Sequence, residues 1–403
     1  MNEWKEVKFG ELANVVNGFA FQSANFLDCM AVNSLPVIKI KNVANGNVHL
    51  NGAQYHQYSE NLSKYLIEKG DVLVALTGNH PQAETQVVGL TSRYKIDRKA
   101  LLNQRVAKII SKNEMCLSTD YIYYFLKDTN THQYLASQSS GSANQANISK
   151  SDIENIPFSQ PPKNEQKNIA AVLSSLDDKI DLLHRQNQTL EAIATTLFRQ
   201  WFVEEAQEDW EEAILDDVIS VKGGTTPSTK KPEYWDGTIH WTTPRDLSSH
   251  NSVFLFDTER KITEKGLSQI GSGLIPVGTV LLSSRAPIGY LAITDIPVAI
   301  NQGYIAIVCD KLIPNYFMYL WCKANMDAIK NAGNGSTFEE ISKSSFKALG
   351  LVLPPKNKLM EFDKAVLPSF KKIRTNKRQI HTLEKLRDTL LPKLMSGEVR
   401  VVV

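Results

Sequence analysis

The sequence predicts an α+β chain in which two homologous mixed α/β domains are separated by two long helices that pair as a coiled coil. Three observations predict this fold. The chain repeats itself at a long period. Each repeat changes at a Pro-Pro step from strand-like to helix-like periodicity, and the helical stretches are too long to bury their apolar stripes on one small domain. The 403 residues allow two to four domains, each large enough for a core.

The repeat comes first because missing one misreads the whole fold. Trp4-Lys5-Glu6-Val7 is answered by Trp210-Glu211-Glu212-Ala213, Gly70-Asp71-Val72-Leu73 by Gly278-Thr279-Val280-Leu281, and Asn103-Gln104 by Asn301-Gln302. The clearest pairs are Ile148-Ser149-Lys150-Ser151 with Ile341-Ser342-Lys343-Ser344, and Pro161-Pro162-Lys163-Asn164 with Pro354-Pro355-Lys356-Asn357. Both pairs sit at one offset of 193 residues. A direct repeat of about half the chain implies two domains rather than a solenoid.

Before each Pro-Pro step, β-branched runs such as Val37-Ile38-Lys39-Ile40 and Val280-Leu281-Leu282 lie between Gly, Asn and Pro turn signals. These predict domains over residues 1–160 and 206–355. After the step the period becomes three and a half. Ile169, Leu176, Leu183, Leu190 and Leu197 recur every seventh residue, with Leu173, Ile180, Asn187, Ala194 and Trp201 interleaved. That is an a/d seam, and Asn187 within it costs stability while fixing register. The second copy is less regular: Val366, Ile373, Ile380 and Leu394 form one row and Leu383 and Leu390 another, with Ser369, Asn376 and Arg387 at seam places. Spacer helices are therefore predicted over 161–205 and 356–403, each spanning about 60 Å. They bury their stripes against each other or against a partner chain.

Lys plus Arg total 45 against 43 Asp plus Glu, a net charge of +2, which excludes a polybasic or acidic disordered chain. By segment, residues 1–160 carry 15 basic and 14 acidic groups, 161–205 carry 5 and 7, 206–355 carry 13 and 17, and 356–403 carry 12 and 5. The last helix is the basic element, with Lys371, Lys372, Arg374, Lys377 and Arg378 clustered. Such a run is a solvated face or a phosphate contact. Cys29, Cys116, Cys309 and Cys322 are too few and too scattered for a disulfide framework or a zinc site. No signal-peptide pattern or bilayer-length run is present, so a cytoplasmic protein with no membrane partner is expected.

Catalytic signatures are missing: no phosphate-binding P-loop, no Gly-x-Gly-x-x-Gly, no Gly-x-Ser-x-Gly elbow and no His-Glu-x-x-His, and the eight histidines form no ligand-spaced pair. The expectation is a non-catalytic binding chain with no metal site. Its richest segment is Lys222-Gly223-Gly224-Thr225-Thr226-Pro227-Ser228-Thr229-Lys230-Lys231, followed by Tyr234-Trp235. Glycines for close approach, hydroxyls, lysines and an aromatic pair suit a phosphate backbone and base edges, although a plain surface loop has much the same composition. The matching place in the first repeat is Asn17-Gly18-Phe19-Ala20-Phe21-Gln22. Further candidates are Lys39, Lys41 and Asn42 against Arg245, Thr77 and Asn79 against Arg285, and Asn103, Gln104 and Arg105 against Asn301 and Gln302. Asn, Gln and Arg are the side chains that read purine edges bidentately.

With these residues in place, the chain resembles the specificity subunits of type I restriction-modification enzymes over essentially its whole length. The resemblance is carried by Leu173-Ser174-Ser175-Leu176-Asp177-Asp178-Lys179-Ile180-Asp181-Leu182-Leu183, by Leu190-Glu191-Ala192 through Leu197-Phe198-Arg199-Gln200-Trp201-Phe202, by the Gly-Gly-Thr-Thr-Pro-Ser loop with Tyr234-Trp235-Asp236-Gly237, and by Leu390-Leu391-Pro392-Lys393-Leu394-Met395-Ser396-Gly397. The first repeat departs from it, with Phe19-Ala20-Phe21-Gln22-Ser23 where the second has the Thr-Pro-Ser loop. The resemblance implies two target recognition domains and an antiparallel helix pair with pseudo-two-fold symmetry. It also implies a bipartite double-stranded DNA target with a fixed gap, two methyltransferase subunits and restriction/translocase subunits as partners, and S-adenosylmethionine, ATP and magnesium held by those partners rather than by this chain. The competing reading is a helical scaffold that binds protein partners without reading DNA.

Overall fold

In a computed structural model the described residues are 4–44, 46–78, 87–140, 146–248, 252–333 and 339–401. The chain forms two compact units, Met1–Lys179 with Leu383–Val403, and Ile180–Thr382. The division runs through both long helices, so each unit holds one mixed domain and a segment of each helix.

In the first unit strand Lys5–Lys8 pairs antiparallel with Pro157–Gln160. A six-stranded sheet follows the order Ala13–Asn17, Val106–Ser111, Val72–Ala75, Thr91–Arg93, Gly46–Val48 and Val43–Ala44. A four-stranded sheet follows the order Tyr55–Gln57, Ser34–Ile38, Ala100–Leu102 and Leu66–Ile67. The strands Val72–Ala75 and Ala100–Leu102 are buried along their whole length, as central strands covered on both faces must be. Helix Thr119–Lys127 buries six consecutive residues, Tyr121 to Leu126, rather than one stripe. The reason is that it is covered on two sides: Tyr123 donates to the Gly46 carbonyl at 3.2 Å, and Tyr124 donates to Asp177 of the first long helix at 3.0 Å.

The second unit repeats this order. Glu211–Ile214 pairs with Gly350–Leu353. The larger sheet runs Ser220–Gly223, Tyr304–Val308, Val280–Ser283, Leu291–Thr294 and Phe254–Leu255, and the smaller runs Arg260–Ile262, Trp235–Thr242 and Ala299–Ile300. Gly70 and Gly278 both turn at positive φ, 101° and 89°, into corresponding strands. The repeated Ile-Ser-Lys-Ser blocks also have a local cause. Ser149 and Ser342 cap the helices Lys150–Glu154 and Lys343–Lys347, their hydroxyls accepting from the N–H of Asp152 at 3.2 Å and of Ser345 at 2.9 Å.

The long helices run Lys163–Arg199, continued by one wider turn Gln200–Glu204, and Lys356–Met395. Each starts just after its Pro-Pro step, and the Pro162 and Pro355 carbonyls accept from Gln166 and Leu359 at 3.0 and 3.1 Å. They pair with each other, and within each unit the pairing is antiparallel. In the first unit Asp177 meets Arg387, and Glu165 meets Arg400 just past the end of the second helix. In the second, Asn187 meets Asn376 and the rings of Phe198 and Phe362 lie 6.0 Å apart. The seam positions Ile169, Leu173, Ile180, Leu183, Ala194, Val366, Ile373, Ile380 and Leu394 are all buried.

Candidate nucleic-acid interface

In the second unit strand Ser220–Gly223 runs into the loop that begins at Gly224. A methyl group on Gly224 would overlap the Ile300 carbonyl, so only glycine permits this approach. Thr225 N–H donates to that carbonyl at 3.0 Å, and the Thr226 hydroxyl donates to Gln302 Oε1 at 2.7 Å. Asn301 N–H donates to Thr242 O at 3.1 Å while its Oδ1 accepts from Gly303 N–H at 2.9 Å. Gly303 in turn abuts Pro244, beside Arg245, and its carbonyl accepts from Ser284 N–H, beside Arg285, at 2.8 Å. The structure thus brings Gly223, Gly224, Thr225, Thr226, Asn301 and Gln302 together where four strands end; Arg245 and Arg285 stand on the adjoining segments, each 3.7 Å from a carboxylate, Glu259 and Glu340.

Two indoles shape the loop beside this corner. Trp235 Nε1 donates to Ser228 O at 3.1 Å and Trp241 Nε1 to Thr225 O at 3.3 Å, with their rings 5.0 Å apart. The Arg260 guanidinium caps the Trp235 ring at 3.6 Å. Lys231 donates to the Tyr234 hydroxyl at 3.1 Å, and that hydrogen bond holds its ammonium above the usual lysine range. Lys222, Ser228, Lys230, Lys231 and Gln302 are exposed and Tyr234 is half-buried.

The first unit builds the same corner. A methyl on Gly18 would overlap the Asn103 carbonyl. Phe19 N–H donates to Leu102 O at 2.8 Å, as Thr225 does to Ile300, and Gln104 N–H donates back to Phe19 O at 2.9 Å. Asn103 N–H donates to Ile38 O at 3.2 Å, and Arg105 O accepts from Leu76 N–H at 2.9 Å. Asn17, Gly18, Asn103, Gln104 and Arg105 therefore gather at matching strand ends, with Asn17, Gln104 and Arg105 exposed. Past the glycine the two loops diverge. Here Phe19 lies 4.9 Å from Phe21 and 5.2 Å from Tyr65, and the Lys39 ammonium sits 3.7 Å over Phe26 while donating to Gln54 at 2.7 Å. Burial and neighbouring Lys41 lower the Lys39 pKa. Lys41 and Gln22 are exposed.

Four nominated side chains face inward, and a buried side chain does not meet a duplex. Phe21 and Trp235 pack in small cores beneath the corners. Asn42 is fully buried; it accepts from Lys39 N–H at 3.1 Å and donates to Asn51 O at 3.3 Å, and Asp246 does the first of these for Thr243 N–H at 2.7 Å. The buried Thr77 hydroxyl donates to Asn147 at 2.7 Å. These four hold the surface that others present. Asn79 lies outside the described residues. In the basic helix Arg374 and Arg378 both grip the buried Asp295.

Sequence reasoning missed Lys343, whose ammonium lies beside Gly223, and Arg260 over Trp235. Lys343 stands in the repeated Ile-Ser-Lys-Ser block, a signal that could have found it; Arg260 carries none. Among the described residues no three His, Cys, Asp or Glu side chains cluster to hold a metal, and no helix is long and apolar enough to cross a membrane.

Two copies of one domain, each presenting a polar corner and each continuing into a long helix, define a duplicated recognition protein. Residues 1–192 and 207–387 match the family model described as type I restriction modification DNA specificity domain, and the chain belongs to that family. It is 35% identical over 193 residues to the type I restriction enzyme MjaIX specificity subunit of Methanocaldococcus jannaschii, covering 47% of this chain and 45% of that relative. It is 24% identical over 487 residues to the type I restriction enzyme HindI specificity subunit of Haemophilus influenzae, covering 99% of this chain and all of that relative. The crystal structure of an S subunit from M. genitalium shares the fold, with a TM-score of 0.61, 19% identity, and 98% and 96% of the two chains covered.

Proposed function

We propose that this chain serves a type I restriction-modification complex by reading a bipartite DNA target of two unlike half-sites with a fixed gap. It directs adenine methylation and restriction that partner subunits carry out. One observation carries this reading: the corners at Gly18/Asn103 and Gly224/Asn301 share a backbone plan, while the loops that leave them differ. Equal scaffolds with unlike surfaces suit two half-sites of unlike sequence. The exposed Asn, Gln and Arg side chains supply base-edge contacts and the lysines phosphate contacts.

In this reading the paired helices set the gap, and tethering makes the second half-site encounter intramolecular. The partners are double-stranded DNA, two methyltransferase subunits using S-adenosylmethionine, and ATP- and magnesium-dependent restriction subunits. The chain itself supplies no catalytic group and works in the cytoplasm. With a net charge of only +2 it binds DNA weakly alone and tightly once the methyltransferase subunits share the phosphate contacts.

The test is a genome-wide map of methylated adenines in cells with and without this chain. The reading predicts one bipartite motif that disappears with the chain. An unchanged methylation map would leave the scaffold reading in its place.

A further inference from the structure

Within the second unit the helix seam holds a fully buried amide. Asn376 is fully buried, and its Nδ2 donates to Asn187 Oδ1 at 2.9 Å and to Gln186 Oε1 at 3.3 Å. Its own Oδ1 has no partner among the described residues. The seam around it is apolar: Ile180, Leu183, Ile373 and Ile380 are 5%, 1%, 1% and 0% exposed. At the repeat offset of 193, Asn376 corresponds to Leu183 and Asn187 to Ile380, so the amide pair has an apolar pair as its counterpart.

We propose that the Asn187–Asn376 pair locks the register of the two helices and is thereby a positioning element for the gap between half-sites. This rests on the function proposed above. An a/d seam repeats every seven residues, so its closest competitors are the two registers displaced by one heptad. In those registers Asn376 faces Ile180 or Ala194, both buried, and neither side chain accepts a hydrogen bond. A buried amide left unsatisfied disfavours each slipped register by roughly ten- to hundredfold. In the second unit the seam next to the pair, Ile180, Leu183, Ile373 and Ile380, is apolar and less selective. The pair thus trades stability for a single register, and the unpaired Oδ1 marks the cost.

The experiment compares the wild type with the double variant Asn187→Leu, Asn376→Leu, an apolar exchange expected to fold with a raised Tm. Spin labels go on the exposed positions Arg185→Cys and Gln379→Cys, in a chain whose exposed Cys29 and Cys116 are serine. Burial holds the remaining thiols of Cys309 and Cys322 above the usual range. The wild type should give one label distance. The variant should give at least two populations, since a heptad slip moves one helix by about 10 Å along the other. In the assembled complex the variant should also methylate sites of more than one gap. A single unchanged distance in the variant overturns the lock, and a shifted distance with one unchanged gap overturns the positioning role. A wild type that directs no bipartite methylation defeats the functional reading instead, and the label distances still decide the lock.

Discussion

Both units bury apolar seam residues of the helix segments; to these the first adds a buried ion network and the second a cluster of aromatic rings. Asp177, buried on the first long helix, accepts from Arg387 of the second at 2.8 Å and from Tyr124 at 3.0 Å, with the Lys127 ammonium 3.6 Å away. Burial alone would raise the Asp177 pKa, but Lys127 and Arg387 hold it below the ordinary carboxylate range. At the offset of 193, Phe370 stands for Asp177 and Ala194 for Arg387. Phe370 stacks on Tyr316 at 4.2 Å, and Phe198, Phe202, Phe317 and Phe362 interlock with centroids 4.9 to 6.3 Å apart. One backbone plan therefore tolerates both chemistries. Rings add about 0.5 to 1.5 kcal/mol per pair beyond their area. A buried ion network is no more stabilising than good apolar packing, yet breaking it is severe.

The largest way to break this contrast is Phe362→Ala, which removes a ring from contact with Phe198, Trp201, Phe202 and Phe317. Urea unfolding should show a loss of about 3 to 5 kcal/mol, confined to probes in the second unit.

Next comes Asp177→Asn, which leaves Lys127 and Arg387, 10% and 15% exposed, without their shared counter-charge. Arg387 keeps Asp388 at 2.9 Å, so the loss should be about 3 kcal/mol, the low end for a broken buried pair. The pH dependence has a defined sign. Because the folded pKa is depressed, the stabilisation is complete above the unfolded value near pH 4 and is lost as pH falls through the folded one. The gap between wild type and variant should therefore close below about pH 4. A constant gap from pH 7 to 2 would show that Asp177 acts by packing alone.

Smaller still are Gly18→Ala and Gly224→Ala, whose added methyls overlap backbone carbonyls. Each should cost about 1 to 3 kcal/mol, and each should weaken methylation through its own half-site. The smallest effect sharpens the contrast at the surface. Thr226→Val removes the hydrogen bond to Gln302 and should shift stability by no more than about 0.5 kcal/mol. Its readout is relaxed selectivity at the second half-site, measured by sequencing methylated sites, with the first half-site unaltered.

Much of this architecture is legible in the sequence because it comes from local rules. The Pro-Pro steps open helices, the repeated serines cap short ones, and the seven-residue rows supply buried seam positions such as Ile169, Leu183, Ile373 and Ile380, while Leu176, Leu190, Leu197 and Leu383 of the same rows are half-buried. Arg387 at a seam place looks like an irregularity in one dimension and is explained by Asp177 on the other helix. The corners were half legible. Gly18, Gly224, Asn103 and Asn301 could be nominated from residue type and repetition, but their meeting depends on strands far apart in sequence. The inward turn of Phe21, Asn42, Thr77 and Trp235 was not legible, since an aromatic or amide in a loop reads alike whether it presents a surface or holds one.

The most direct test of the central claim exchanges residues 206–355 for the corresponding domain of another specificity subunit and maps methylated adenines in the assembled complex. The account predicts that the half-site read by the second domain changes while the other half-site and the gap are kept. A change in both half-sites, or in neither, would contradict it.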